Sequence, residues 1–247
     1  MLTQNVVPGV HQIEHAHVNC YLIEDDDGLT LVDAGLPGVW NELGRAIRAV
    51  GRRPDDLKAL VLTHAHFDHV GVARRLVQRQ GLPVYAHPDE RTLAAHPYRY
   101  AHERPAAAYP LQHPRALPIL GSMVMAGAVA VRGVETTEEL SAETIVPVPG
   151  RPRVIPSPGH TFGHCALHLP DRDVVLTGDA LVTLDPYTGQ TGPRLVARAA
   201  TADSQAAMQS LDALAGTQAG TVLTGHGQPW RAGIEDAVEA ARQHGAA

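Results

Sequence analysis

Within six consecutive positions this chain carries four residues of the kind that bind metals: Thr63-His64-Ala65-His66-Phe67-Asp68-His69 follows directly on the apolar run Leu60-Val61-Leu62. A strand that ends in such a stretch presents three imidazoles and a carboxylate within one turn of chain. Residues two apart at a strand end point the same way, so His64 and His66 can share one ion. Asp68 and His69 fall where the chain turns toward a helix and aim at a second point nearby. Imidazole and carboxylate together suit Zn, Fe or Mn, and ligand geometry separates those metals. The competing reading, a solvated histidine-rich loop, fits any single His better than it fits this cluster. Fifteen His against two Phe in the whole chain point the same way.

Bulk properties narrow the rest. A chain of 247 residues is long enough for a sizeable core. Its formal net charge of -6 offers no basic surface for a phosphate backbone, which argues against nucleic acid as a partner. The first nine residues have neither the basic nor the apolar stretch of a secretion signal, so a cytoplasmic location is expected. Cys20 and Cys165 each sit in a strand-like pattern and read as reduced, buried thiols.

Along the chain, residues 18–24 and 29–33 read as strands joined through the turn Asp25-Asp26-Asp27-Gly28. Pro37 opens a helix to about residue 50, with Val39, Leu43, Ile47 and Val50 at helical spacing. A buried strand over 57–62 delivers the histidine stretch, and a helix is expected over 70–80. A short strand at 84–86 ends on His87. From 88 to 134 the pattern loosens, punctuated by Pro97, Pro105, Pro110, Pro114 and Pro118, and reads as an insertion with helical pieces that forms a lid or pocket wall. Its run 116–131 holds no charge, but at 16 residues it falls short of the ~20 needed to span a bilayer. A lid or dimer contact, plain core, and a membrane-surface contact all remain open for that run. Order resumes with strands at 153–157, 164–169 and 174–177, a helix over 202–214, a strand at 221–223 and a closing helix over 233–243. Strands and helices, an insertion, then strands and helices again predict a single α/β domain over 1–247, two sheets stacked with helices outside as an αββα sandwich.

Three later stretches share one form, an apolar strand, then Gly, then a ligand-type residue: Ile155-Pro156-Ser157-Pro158-Gly159-His160, Val174-Val175-Leu176-Thr177-Gly178-Asp179 and Val222-Leu223-Thr224-Gly225-His226. Gly before the ligand lets the backbone turn sharply and approach other loops closely. If these strand ends converge on the first motif, the site holds His64, His66, Asp68, His69, His160, Asp179 and His226, enough for two ions with Asp179 between them.

These stretches, in this order, resemble the metallo-β-lactamase-fold superfamily, with the likeness running from about residue 19 to 226 and leaving the insertion unmatched. The resemblance implies the αββα sandwich with a metal cleft at the sheet edges. It implies one ion on His64, His66 and His160, a second on Asp68, His69 and His226, and Asp179 bridging. Asp33, in the family's Asp-x-Gly position, would hold loops by hydrogen bonds. Lactamases of the branch with a Cys ligand carry it where this chain has Asp179, which is instead similar to the bridging ligand of glyoxalase II and the acyl-homoserine lactonases. The tyrosine that polarises substrate in those lactonases would fall near Val182, and the nearest here is Tyr187.

The implied reaction is hydrolysis of a lactone, thioester or related acyl bond by a hydroxide shared between two divalent ions, Zn ahead of Fe or Mn, with Asp68 as the general-base candidate. The substrate expected is a small molecule with an apolar acyl part, held by the insertion through Tyr98, Tyr100, Tyr109 and the apolar run, unless those tyrosines merely pack. Two other readings stand beside it. One is a persulfide dioxygenase-like oxidoreductase with a single iron on His64, His160 and Asp179; the other is a β-lactam hydrolase. Of the remaining histidines, His164 is a candidate for supporting the ligands and His87 for lining the cleft.

Overall fold

The structure, a computed structural model, describes residues 1–106, 109–136 and 138–247. Its elements run β1 (Leu2–Val7), β2 (Val10–His15), β3 (Val18–Asp25), β4 (Gly28–Val32), α1 (Trp40–Ala49), β5 (Leu57–Val61), α2 (Ala73–Gln80) and β6 (Val84–Ala86). Then come α3 (Arg91–Ala95), α4 (Tyr109–Gln112), α5 (Leu117–Met125), β7 (Glu138–Glu139), β8 (Arg153–Pro156), β9 (Cys165–Leu169) and β10 (Val174–Gly178). The chain closes with β11 (Val182–Leu184), β12 (Thr191–Arg194), α6 (Ser204–Ala215), β13 (Thr221–Thr224) and α7 (Ile234–His244).

Among the described residues there is a seven-stranded sheet in the order β1 to β7, a four-stranded sheet in the order β13-β10-β9-β8, and a β11–β12 ribbon. In the first sheet β1 to β4 run antiparallel, as hairpins allow, and β4 to β7 run parallel, with α1 and α2 filling the crossovers. The two-residue alternation of the strands sorts their side chains into layers. On β3, Cys20 and Leu22 join an apolar cluster with Leu43 and Ile47 of α1 and Leu76 of α2. Tyr21 and Ile23, on the opposite face, join a cluster with Leu167 of β9 and Leu176 of β10. On the second sheet Ala166 and Val175 face outward to Leu211 and Leu214 of α6 and Val238 of α7. Helix, sheet, sheet and helix therefore stack as four layers, the sandwich expected from the sequence. Leu22, Leu31, Leu60 and Leu167 are wholly buried, each contributing about 1.5–3 kcal/mol of transfer free energy.

One element was missed and two sequence expectations need correction. The β1–β2 hairpin was not legible, because Leu2, Thr3, Gln4 and Asn5 are not buried and show no apolar alternation. The helix expected from Pro37 begins as a 3₁₀ turn over Pro37–Val39, and α1 proper starts at Trp40. The helix expected from residue 70 begins only at Ala73. Residues before it are committed elsewhere: Gly71 N–H donates to Gly35 O (2.6 Å), Val72 N–H to Ala34 O, and Ala34 N–H to His69 O. Those bonds pin the loop after β5 to the loop after β4.

In the stretch 88–134, Ala107 and Ala108 lie outside the described residues. Ile119, Met123, Ala126 and Val131 belong to the same apolar cluster as β3 and α1, while Val124, Met125 and Val129 are exposed. Tyr98 is partly exposed, and its hydroxyl ties down the segment's own backbone, donating to Ala128 O (2.7 Å) and accepting from Val131 N–H (2.9 Å). Tyr109 likewise donates to Ala247 O (2.8 Å). No helix among the described residues is long and apolar enough to cross a membrane.

Candidate metal centre

Five loops at the C-terminal ends of β4, β5, β8, β10 and β13 meet at one edge of the sandwich. Parallel pairing brings this about: Val32 lies beside Val61 on β5, and Gly178 beside Thr224 on β13. The loops deliver His64, His66, Asp68, His69, His160, Asp179 and His226, all buried, and the seven residues nominated as metal-binding stand together there. His64, His66 and His160 form one compact group, and Asp68, His69 and His226 another.

The glycines before the later ligands act in different ways. Gly178 has φ of +50°, in the left-handed region, and a side chain there would meet Thr63 Oγ1 at 2.6 Å. Gly225 is needed for space alone, since a Cβ would stand 2.0 Å from Asp179 Oδ1.

Hydrogen bonds aim the rings. Asp33, itself left-handed at φ +58°, accepts from Thr63 N–H (2.8 Å), from the Thr63 hydroxyl (2.8 Å) and from His69 Nδ1–H (3.0 Å). The Thr63 oxygen, having given its proton to Asp33, accepts from His64 Nδ1–H (3.1 Å). His226 Nδ1–H donates to His17 O (2.7 Å). Each of these three imidazoles therefore keeps its Nε2 lone pair for the interior. Asp33 also lies near His64 and His69 as a possible third ligand, but the oxygen that faces His69 is already engaged by two donors.

The interior atoms fit cations. Nε2 of His64, Nε2 of His69 and Oδ1 of Asp179 are buried with no hydrogen-bond partner, a costly arrangement unless something positive is bound. Two atoms each about 2.0–2.1 Å from one tetrahedral ion lie about 3.3 Å apart. His66 Nδ1 and His160 Nε2 are 3.0 Å apart, and His226 Nε2 is 3.3 Å from Asp68 Oδ2. Asp179 Oδ2 is 3.6 Å from His160 Nε2 and 3.2 Å from His226 Nε2, between the two groups.

The electrostatics agree. Burial lowers His64, His66 and His160, and their histidine neighbours lower His64 and His160 further, so all three stay neutral; His66 is brought down to about 4. Burial alone would raise Asp179, but His226 and His69 hold it well below the usual carboxylate range. Burial would likewise lower His226, yet Asp179 and Asp68 carry it up to about 10. Without metal, the half of the centre that holds the carboxylates keeps protons as its cations.

His164 ties the loop of Asp179 to that of Ser157. Its Nε2 accepts from Asp179 N–H (3.0 Å), which leaves Nδ1–H to donate to Ser157 Oγ (2.8 Å). His87 instead caps its own turn, accepting from Asp89 N–H. Sequence reasoning singled out Tyr100 only among several tyrosines; its ring lies 4.5 Å from that of His66, and its hydroxyl is 3.4 Å from that of Tyr187. Glu90 was missed altogether, for no local pattern marks a buried carboxylate that binds backbone. Two cavities flank the centre. One of about 170 Å³ is lined by Leu93, Arg99, Tyr100, Thr161 and Phe162, and one of about 340 Å³ by His17, Thr183, Leu184, Gln228 and Trp230. A larger cavity of about 690 Å³, walled by Arg151, Arg153 and Arg172, lies at the other end of the strands and touches none of these residues.

Comparison with known proteins gives the geometry a family. The metallo-beta-lactamase superfamily matches residues 15–226 of the chain. The probable metallo-hydrolase YflN of Bacillus subtilis is 29% identical over 90% of this chain and 84% of its own length. An N-acyl homoserine lactonase of a Bacillus species is 26% identical over 79% of this chain and 74% of its own. Among solved structures, the metallo-beta-lactamase family protein TTHA1429 of Thermus thermophilus superposes with a TM-score of 0.69 at 26% identity, covering 97% of this chain and 80% of that one. TTHA1623, crystallised in a di-iron-bound form, superposes with a TM-score of 0.59 at 27% identity, covering 91% and 95%. With a family match that begins in β2 and ends at His226, the protein belongs to the metallo-β-lactamase superfamily and is a metal-dependent hydrolase.

Proposed function

We propose that this hydrolase holds two divalent cations, one on His64, His66 and His160 and one on Asp68, His69 and His226, with Asp179 between them, and that it cleaves a lactone, thioester or related acyl bond. The observation that carries the reading is the set of orphaned buried atoms on Asp179, His64 and His69, with Asp179 Oδ1 3.6 Å from His69 Nε2. When bound, the cations supply Lewis acidity and acidify a shared water enough to make it a nucleophile near neutral pH. Zn suits the imidazole-rich set best, and the di-iron form of TTHA1623 keeps Fe in view.

The chain's own residues do the rest. Asp68, buried and held ionised against the pull of burial by His69 and His226, is the general-base candidate. The Tyr100 and Tyr187 hydroxyls stand beside the first group and can orient a carbonyl at its edge. The two flanking cavities would receive the two halves of a small substrate, with Leu93 and Phe162 against an apolar acyl part and the 88–134 segment acting as a wall within one domain. The carboxylate at position 179 and the lactonase among the relatives support an acyl-bond hydrolase of the glyoxalase II and lactonase type. A single-iron site on His64, His160 and Asp179 would leave Asp68, His69 and His226 as a second buried group with no task. The reduced thiols at Cys20 and Cys165 accord with a cytoplasmic setting.

Replacement of Asp179 with Ala tests the reading. The variant is expected to lose metal and turnover of an ester, thioester and lactone panel together. Wild-type protein purified without added metal that holds well under two ions, and hydrolyses none of the panel, would refute the proposal.

A further inference from the structure

We infer that Glu90 is a positioning residue that straps together the two loops carrying His64, His66 and His160, and so sets the spacing of that group of ligands. Glu90 closes the 3₁₀ turn Pro88–Glu90 after β6, where α3 begins, and its side chain is buried. Oε2 accepts from Ala65 N–H (2.8 Å), the amide between His64 and His66. Oε1 accepts from Gly163 N–H (3.0 Å), three residues after His160 and one before His164, whose ring holds the Asp179 amide. One carboxylate therefore spans two loops that approach across His66 Nδ1 and His160 Nε2, 3.0 Å apart.

Two features mark this as a built arrangement. Among the described residues no Lys or Arg is paired with Glu90, so its buried carboxylate rests chiefly on these amide donors, with the Thr161 side chain and His87 beside it, a costly choice unless the alignment of those donors matters. The partner loop also makes room for it: a Cβ on Gly163 would stand 3.0 Å from both Cγ and Oε1 of Glu90, and 2.9 Å from His87 Nδ1. A carboxylate suits the task because it offers two acceptors. Gln keeps the shape but turns one end into a donor facing a donor, which releases one loop.

The inference rests on the proposal that His64, His66 and His160 share a cation, and the experiment separates the two. Wild type, Glu90→Gln and Gly163→Ala are prepared metal-free and compared by amide hydrogen exchange at Ala65 and Gly163 and by thermal unfolding. They are then loaded with Co(II), whose visible absorption bands report ligand geometry, and its affinity is measured by chelator competition. Both variants are expected to expose at least one of the two amides, to bind Co(II) about 10- to 100-fold more weakly and to shift its bands, while keeping a cooperative melt. Wild type that binds Co(II) normally, alongside a Glu90→Gln protein with unchanged amides, bands and affinity, would overturn the strap and leave the metal centre standing. Wild type that binds no Co(II) would overturn the metal centre and the strap with it. If Glu90→Gln does not fold, Gly163→Ala decides on the same readouts, since it crowds the carboxylate, together with His87, without removing it.

Discussion

Asp33→Asn should weaken metal binding without unfolding the protein, and the structure says by how much. Asn tolerates the left-handed backbone at φ +58° as Asp does, so the loop after β4 keeps its course. The chemistry cannot be kept. Oδ1 accepts from Thr63 N–H, while Oδ2 accepts from both the Thr63 hydroxyl and His69 Nδ1–H. An amide has one acceptor end. Turned one way, its NH₂ faces the buried Thr63 amide, at a cost of about 1–3 kcal/mol for an unmade backbone bond. Turned the other way, it faces His69 Nδ1–H, and the ring must rotate or exchange tautomer, which points Nε2–H at the ion. The second orientation keeps the buried Thr63 amide bonded and will be populated, so the expected loss is that of a misaimed ligand, about 10- to 100-fold in affinity, or about 1.4–2.8 kcal/mol. Chelator competition with Zn, read beside thermal unfolding of the metal-free proteins, measures it. Affinity within twofold of wild type in a folded variant would refute the argument that Asp33 aims His69 and His64.

Other expectations follow from the same geometry. Gly225→Ala should abolish metal at the centre, because the new methyl group would sit 2.0 Å from Asp179 Oδ1; stoichiometric metal in that variant would show that Asp179 faces elsewhere. Metal added to the metal-free protein near pH 7 should release protons, since Asp179 and Asp68, against burial, raise His226 to about 10 and it is protonated there. That release should shrink as the starting pH passes about 10, where His226 is already neutral, and a pH-independent release would contradict the assignment. Cys20 and Cys165 are buried, and burial, with Glu90 adding to it, pushes the Cys165 thiol up to about 12. A disulfide-exchange reagent at pH 8 should therefore find both thiols only after denaturation, and rapid labelling of the native protein would be inconsistent with this packing.

Much of this was written locally. Thr63 to His69 announces metal chemistry because ligand-type residues at such spacing have few other uses, and the apolar runs before Gly159, Gly178 and Gly225 mark buried strands by period and composition alone. The hairpin through Asp25 to Gly28 was legible from its turn residues, and the structure pairs Asp25 with Gly28. Whatever depends on the partner of a surface was not legible. The segment Leu2–Val7 becomes a strand because β2 offers it an edge, and Gly71 and Val72 stay out of the helix, their amides bonded to the loop after β4.

The sequence by itself determined the ligand types, the alternation that sorts four layers, and the family. Tertiary structure alone decided which nitrogen of each imidazole faces inward, that Tyr100 lies over His66, and that Glu90 binds two loops at once. The physical reason is one of range. Periodicity and turn chemistry act between neighbours in the chain, whereas the aim of a ring is set by a hydrogen bond from a residue tens or hundreds of positions away, as His17 is from His226.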